Sequence, residues 1–463
     1  MSAEFDTLDL QEQFEEVIRK DDKLAIQEFL NSQNISDVAD LINDNGDYVG
    51  QIIASLSPHR AASTFKILDV PTQKDVIQAL PPLKTAELLN ELPADDRTSF
   101  LEELPNEVVR ELIRLLDPEE RKITLALLGY PEGSVGRLMT PDYIAVREDW
   151  TVQDVLEHIR QFGKDSETID VIYVVNDEGK FVDDVRIREF LLAPPEKQVN
   201  ELVDGRFITL LVTDDQEEAN QVFKMNNRVA LPVVDTQNVL LGIVTIDDIL
   251  WVASEEFSED MQKMGGTEAL NEPYLEIPIF KLFKKRIVWL LALFLGEMLT
   301  ATAMSHYENE IQKAVVLALF IPLIISSGGN SGSQASTLII QAMAVGEISL
   351  ADWWKVVRRE VISGLLLGTV LGIVGFARVM VWSQFFPSIY GDHYFLIALA
   401  VGFALVGVVL WGALSGSMLP IVLKKLGADP AVSSAPFVAT LVDVTGLIIY
   451  FSVALIFLKG TLL

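Results

Sequence analysis

Apolar and polar positions along this chain follow three different periods, one after another. The first is a repeat of twelve residues: Leu56, Leu68, Leu80, Leu92, Leu104 and Leu116. A proline follows each within three positions, at Pro58, Pro71, Pro81, Pro93, Pro105 and Pro118. Four residues before each leucine stand Ile52, Thr64, Val76, Leu88, Phe100 and Leu112. Proline suits the first turn of a helix and breaks the helix before it. The spacing therefore predicts one short helix per unit, with an i, i+4 pair on its inner face. Helices this short cannot bury that face alone, so they are expected to stack as a right-angled or superhelical array.

From about Gly136 the pattern changes to β-branched runs between helical stretches. Asp170 to Val175 reads as a buried strand followed by the turn Asn176-Asp177-Glu178-Gly179. Leu231 to Asp235 repeats that logic, and Leu241 to Leu250 reads as a strand running into a helix. These two halves resemble a tandem pair of CBS domains over 136–254. In that family a Gly-x-x-Thr-x-x-Asp motif contacts adenine nucleotides, and the second half matches it at Gly242, Thr245 and Asp248. The corresponding stretch of the first half, Asp183 to Glu189, has neither the glycine nor the threonine. The resemblance implies that any ATP site rests on the second unit. The alternative is that the motif only shapes the fold.

The third period is continuous hydrophobicity. Five segments are long enough to cross a bilayer, at about 287–304, 315–342, 361–382, 395–419 and 432–458. Lys281, Lys284, Lys285 and Arg286 precede the first, Lys355, Arg358 and Arg359 the third, and Lys424 and Lys425 the fifth. Basic residues mark cytoplasmic loops, so the N-terminus is expected inside and the C-terminus outside. The start, Met1-Ser2-Ala3-Glu4-Phe5-Asp6, has no basic region or apolar core and does not read as a signal peptide.

Composition sharpens this division. The 463 residues carry a net charge of −30, yet half of them are hydrophobic. Residues 1–280 hold 24 of the basic and 57 of the acidic residues, a net −33, and the remainder is close to neutral. A strongly acidic module repels nucleic acid and attracts cations, although acidity also serves solubility. There is no cysteine, which excludes thiolate metal sites. No nucleophile–base pair or Walker loop is present, and an enzyme is not expected. The expected order is an acidic helical-repeat domain (1–135), the CBS pair (136–254), a connecting helix and juxtamembrane segment (255–284), and a five-helix membrane domain (285–463).

Asp443 is the most informative single residue. It lies about twelve residues into the fifth segment, roughly 18 Å along a helix, near the centre of a hydrocarbon core about 30 Å thick. A carboxylate there costs at least about 2.5 kcal/mol and is expected to face a cavity or a partner. Thr440 and Thr445 flank it, Asp429 stands at the mouth, and Pro436 is expected one turn inside, where it kinks the helix or exposes carbonyls. The second segment carries Ser326-Ser327-Gly328-Gly329-Asn330-Ser331-Gly332-Ser333-Gln334, too polar and glycine-rich to face lipid. Gly328, Gly329 and Gly332 permit either non-helical backbone or close packing, while Asn330 and Gln334 offer amide oxygens. Glu297 is a further intramembrane acid. Hard oxygen donors suit Mg2+ or Ca2+. On the connecting helix, Glu256, Glu259 and Asp260 share a face and repel one another unless a cation sits among them.

Taken together, the strings Gly328-Gly329-Asn330-x-Gly332-x-Gln334 and Thr440-Leu441-Val442-Asp443-Val444-Thr445-Gly446-Leu447 resemble the MgtE family of magnesium transporters. The similarity spans nearly the whole chain. It implies a homodimer in the inner (plasma) membrane with a pore lined by the second and fifth spans. It implies Asp443 as the pore ligand, with Gly328, Gly329, Asn330, Gln334, Thr440 and Thr445 lining the path. It implies regulation by cytosolic Mg2+ bound at Asp248, Glu256, Glu259, Asp260 and Asp429, closing the pore. Two departures are Trp251, where some relatives carry an acid, and Ala435, where others carry Asn. A carrier for Co2+ or Mn2+ and a membrane-anchored sensor of Mg2+ or nucleotide are the competing readings.

Overall fold

The computed structural model describes residues 3–20, 22–270, 274, 275 and 277–462. Met1 and Ser2, at the start of the stretch read for a signal peptide, lie outside the described residues, as do 271–273 and 276 of the juxtamembrane segment. The chain divides into two units, Met1–Ser254 and Glu255–Leu463.

In the first unit, each twelve-residue repeat forms one helix. They are Pro58–Lys66, Val70–Ala79, Pro82–Glu91, Ala94–Glu102, Asn106–Leu115 and Pro118–Leu127, preceded by Val49–Ser55. Proline stands in the first turn or at the N-cap of each of the six. Ile52, Thr64, Val76, Leu88, Phe100 and Leu112 are all buried. The repeat leucines do not lie on the helices: Leu56, Leu80, Leu92 and Leu116 are the first residues beyond the helix ends. There they plug the gap between one helix and the next. Most helices pack against the helix two places on, which builds a two-layered superhelical stack.

Two three-stranded sheets follow. β1 (Ala145–Arg147), β2 (Val171–Val175) and β3 (Phe181–Arg186) pair in that order, parallel then antiparallel. β4 (Leu210–Leu211), β5 (Ala230–Val234) and β6 (Leu240–Thr245) repeat the arrangement. The two sheets join across Val171, Tyr173, Phe181, Val234, Leu240 and Ile243, which form one buried cluster. From β6 the chain turns directly into the connecting helix, Ile246–Met264.

Among the described residues, the second unit contains five helices long and apolar enough to cross a membrane: Ile279–His306, Val315–Ala344, Leu350–Phe385, Tyr394–Lys425 and Ala435–Leu458. We call them spans one to five. Span two is helical through the whole polar string, from Ile321 to Ala344, so Gly328 and Gly332 serve close packing. A Cβ on Gly412 would stand 2.2 Å from the Gly328 carbonyl oxygen, and one on Gly416 2.1 Å from that of Gly332. Two small-xxx-small pairs thus let spans two and four touch backbone to backbone. The start of span five differs from expectation. Pro430–Val432 is a separate 3-10 turn, and the helix begins at Ala435 with the Ser434 hydroxyl capping the Phe437 N–H. Pro436 therefore sits in the first helical turn, where its missing N–H costs nothing, and introduces no kink inside the membrane.

Candidate ion path and cation sites

On span two, Ser326, Asn330, Gln334, Thr337 and Gln341 follow one another at intervals of four or three residues and are all exposed. They form a polar stripe over residues 326–341 of a helix long enough to cross a membrane. Gly328 and Gly332 lie on the opposite, buried side against span four. Gly328 is thus taken up by packing, wedged against Val408 and Val442. Gly329 has no such clash: a Cβ there would lie 3.5 Å from Ala439 and 3.8 Å from Asp443 Oδ1. The half-buried Asp443 carboxylate thus lies beside the backbone at Gly329, adjoining the stripe at Asn330.

The neighbours of Asp443 on span five divide into two groups. The Thr440 hydroxyl donates to the Pro436 carbonyl at 3.0 Å, and its methyl faces Gly296 of span one. The Thr445 hydroxyl donates to Leu441 O at 2.7 Å and accepts from Trp411 Nε1 at 2.8 Å, so it is committed to span four. Ser333 and Ser336 of span two donate to the carbonyls of Ala435 and Ser433, pinning the entrance of span five.

Near that entrance, Asp429 accepts from the Ala431 N–H at 2.8 Å and pairs with Lys263 at 2.8 Å. Lys263 also pairs with Glu259, one turn earlier on the connecting helix. Burial works against the Lys263 charge, but Asp429 and Glu259 outweigh it and raise its pKa. Glu256 and Asp260 lie on the same helix.

Asp248 belongs to a different cluster, within the first unit. Its carboxylate and that of Asp247 each lie 2.5 Å from the Thr245 hydroxyl. A hydroxyl has one proton to donate, so one carboxyl must itself donate or share a cation. Burial is the main cause that pushes Asp248 up to about 7, helped by Asp247 and Asp96 and opposed by Thr245 and Lys66. Asp95, buried, is raised well above the usual range, mainly by burial and next by Asp248. Its Oδ1 has no hydrogen-bond partner among the described residues. Burial likewise raises Asp96 and Glu167. Lys66 reaches into this group, 3.3 Å from Asp96 and 3.6 Å from Asp247. Gly242 is pressed against the Thr140 carbonyl, where a Cβ would come within 2.7 Å. Of the three motif residues, the glycine is therefore engaged in packing and the other two in the acidic cluster.

Sequence reasoning left Asp95, Asp96, Glu167, Lys66 and Lys263 unassigned. Lys263 was detectable as the i+4 partner of Glu259. The others meet only in the folded unit.

Comparison with known proteins supplies the family. A model described as the divalent cation transporter MgtE matches residues 321–453, the MgtE intracellular N domain matches 33–133, and the CBS domain matches 135–196 and 199–255. The magnesium transporter MgtE of Thermus thermophilus is 35% identical over 450 residues, 96% of this chain and 98% of that one. This chain belongs to the MgtE family of magnesium transporters. The Bacillus subtilis MgtE is 29% identical over 81% of each chain. Among solved structures, the cytosolic domain of the Mg2+ channel MgtE in complex with ATP is 33% identical, with a TM-score of 0.50, covering 52% of this chain and 99% of that one. The soluble part of a magnesium transporter is 25% identical, with a TM-score of 0.51, covering 54% and 99%. MgtE proteins are transporters, so the chemistry to explain is ion passage, not bond making.

Proposed function

We propose that this MgtE protein conducts Mg2+ across the plasma (inner) membrane along the polar stripe of span two, with Asp443 as the ion-binding carboxylate. One observation carries this reading: five exposed polar side chains line a helix at membrane depth, and the Asp443 carboxylate stands beside them. Polar groups facing lipid are costly, so such a stripe faces water or a second copy of the chain. A homodimer with the path between the two copies satisfies both. Mg2+ sheds its waters reluctantly and meets proteins through one or two carboxylates plus water, which suits Asn330, Gln334 and Thr440 near a single Asp per chain. Gly329 contributes closeness of backbone. The basic residues before spans one, three and five support a cytoplasmic N-terminus and an outer C-terminus.

Regulation by cytosolic Mg2+ is part of the proposal. In the first unit it would act at Asp248 with Asp95 and Asp96, where an unpartnered buried oxygen supports a cation site. In the second it would act at Glu256, Glu259, Asp260 and Asp429, where Lys263 already shows the preference for positive charge. Occupied sites hold the closed arrangement, and emptied sites repel and open it. ATP at Gly242, Thr245 and Asp248 is supported by the ATP-bound relative and would have to draw Thr245 away from its present partners.

The test is Mg2+ entry into liposomes holding the purified protein, with little Mg2+ on the cytosolic side, beside Asp443→Ala. Flux in the wild type and its loss in the variant are expected. Equal flux in both would move the path elsewhere. Flux that requires a Na+ or H+ gradient would favour a coupled carrier for another divalent ion, and a silent wild type would favour a sensor.

A further inference from the structure

We propose that Glu297 of span one is a second carboxylate of the ion path and holds the hydrated divalent cation together with Asp443. This rests on the transport reading above and adds a residue that the pore string and the Asp443 string do not contain. Spans one and five approach closely at Gly296, where a Cβ would stand 2.9 Å from the Thr440 methyl. That contact brings the next residue, Glu297, level with the following turn of span five, close enough for its carboxyl group to interact with that of Asp443. Two carboxyl groups that close repel unless positive charge stands between them. Glu297 is otherwise uncovered by the spans around it. A lipid-facing carboxylate at this depth would cost at least about 2.5 kcal/mol, which a shared cation offsets.

A second observation points to a ligand at the same place. Thr300 lies one turn beyond Glu297 on the same side of span one, and it is the buried residue of that helix. Threonine hydroxyls in membrane helices commonly donate to the carbonyl four residues back. Thr302 does so to Met298, Thr369 to Leu365, Thr440 to Pro436 and Thr445 to Leu441. Thr300 does not: its Oγ1 is buried with no hydrogen-bond partner among the described residues. A buried hydroxyl left unmade is costly, and a water of the ion's hydration shell would satisfy it. Glu297, Asp443 and Thr300 therefore form a site with two acceptor carboxylates and one hydroxyl per chain. Its charge favours a divalent over a monovalent cation.

The experiment is Mg2+ influx into proteoliposomes of the full chain, read with an internal fluorescent indicator across a range of external Mg2+. It compares wild type, Asp443→Ala, Glu297→Gln, Glu297→Asp and Thr300→Val. Glu297→Gln is expected to raise half-saturating Mg2+ by roughly tenfold, with a maximal rate near wild type, and Glu297→Asp to recover part of the loss. Thr300→Val keeps shape and apolar packing, and is expected to raise half-saturating Mg2+ by a smaller factor. Wild-type half-saturation in Glu297→Gln would overturn the inference while leaving the transport reading intact. If Glu297→Gln fails to fold, judged by gel filtration, Thr300→Val decides: an unchanged half-saturation overturns the inference and a raised one supports it. A silent wild type would overturn the transport reading and this inference with it.

Discussion

Lys263 Nζ lies 2.8 Å from Asp429 Oδ2, although 166 residues separate them in the chain. The same ammonium also pairs with Glu259. A tethered cation thus already occupies part of the charge centre between the connecting helix and the entrance of span five. A divalent ion entering there competes with it. These pairs are partly buried at the protein surface, and surface pairs contribute about 0.2–1 kcal/mol each. Lys263→Gln is therefore expected to lower the cytosolic-side Mg2+ that half-inhibits flux by about two- to fivefold. A half-inhibiting concentration that stays put or rises would show that the lysine supports closure rather than competing with Mg2+.

The acidic cluster of the first unit predicts a pH dependence with a definite sign. Asp248 has a folded pKa of about 7, raised from 3.8 mainly by burial. The folded state therefore holds a proton that the unfolded state releases. The contribution is fully present below the unfolded pKa and is lost as pH rises through about 7. In Mg2+-free buffer, a fragment spanning residues 1–264 should lose about 1 kcal/mol of stability between about pH 6 and pH 8. Asp248→Asn should flatten that slope, and Mg2+ should restore stability at the higher pH by replacing the proton. Chemical unfolding at the two pH values checks it. A slope unchanged in the variant would mean that another group dominates.

How much of this was legible in the sequence depends on the distance over which each feature is encoded. One helix per repeat is legible because proline acts on the turn it occupies, within a few residues of each leucine. The leucines themselves lie one or two steps beyond the helices, since a repeat period fixes spacing but not where a helix frays. The five spans were visible from hydropathy alone. Their boundaries were not: Val432 extends the apolar run of span five backwards across a 3-10 turn, and the actual start is set by the Ser434 cap. In the sequence Gly328 and Gly332 permitted either non-helical backbone or close packing, and nothing local decided between the two. That they press on Gly412 and Gly416, and so leave Asn330 and Gln334 on the uncovered side, follows only from the packed helices. The meeting of Lys66 with Asp96 and Asp247 is encoded nowhere locally, because it depends on how the helical repeat folds against the second sheet.

Arg97 gives a stability prediction for the first unit. It is fully buried, yet it donates to the carbonyls of Leu89 and Leu92, to Thr124 at 2.8 Å, and to the Glu120 carboxylate. Removing it leaves a partly buried carboxylate and two helix-end carbonyls without their donor. Breaking such a buried pair costs about 3–5 kcal/mol. Arg97→Met should lower the stability of the 1–264 fragment by that order in chemical unfolding, although methionine fills much of the same volume. A loss below about 1 kcal/mol would mean that water replaces the guanidinium, as at an ordinary surface.

Gly416 tests whether close helix packing in the membrane unit is a requirement or a convenience. A Cβ there would lie 2.1 Å from the Gly332 carbonyl oxygen, and since the Cβ is fixed by its own backbone and the oxygen is backbone, no rotamer change can relieve the clash. Gly416→Ala must therefore push spans two and four apart, shifting the stripe that carries Asn330 and Gln334. Overpacking of this kind costs about 1–3 kcal/mol. Gly407→Ala, on the same span, is the control: its nearest neighbour is an Ile449 side-chain carbon at 3.2 Å, which can yield by a few tenths of an ångström. In detergent, thermal unfolding of the full chain should show Gly416→Ala clearly less stable than wild type and Gly407→Ala close to it. Mg2+ flux should fall with the first and persist with the second. Equal stability of the two variants would mean that spans two and four tolerate separation, and the polar stripe would then not depend on their backbone contact.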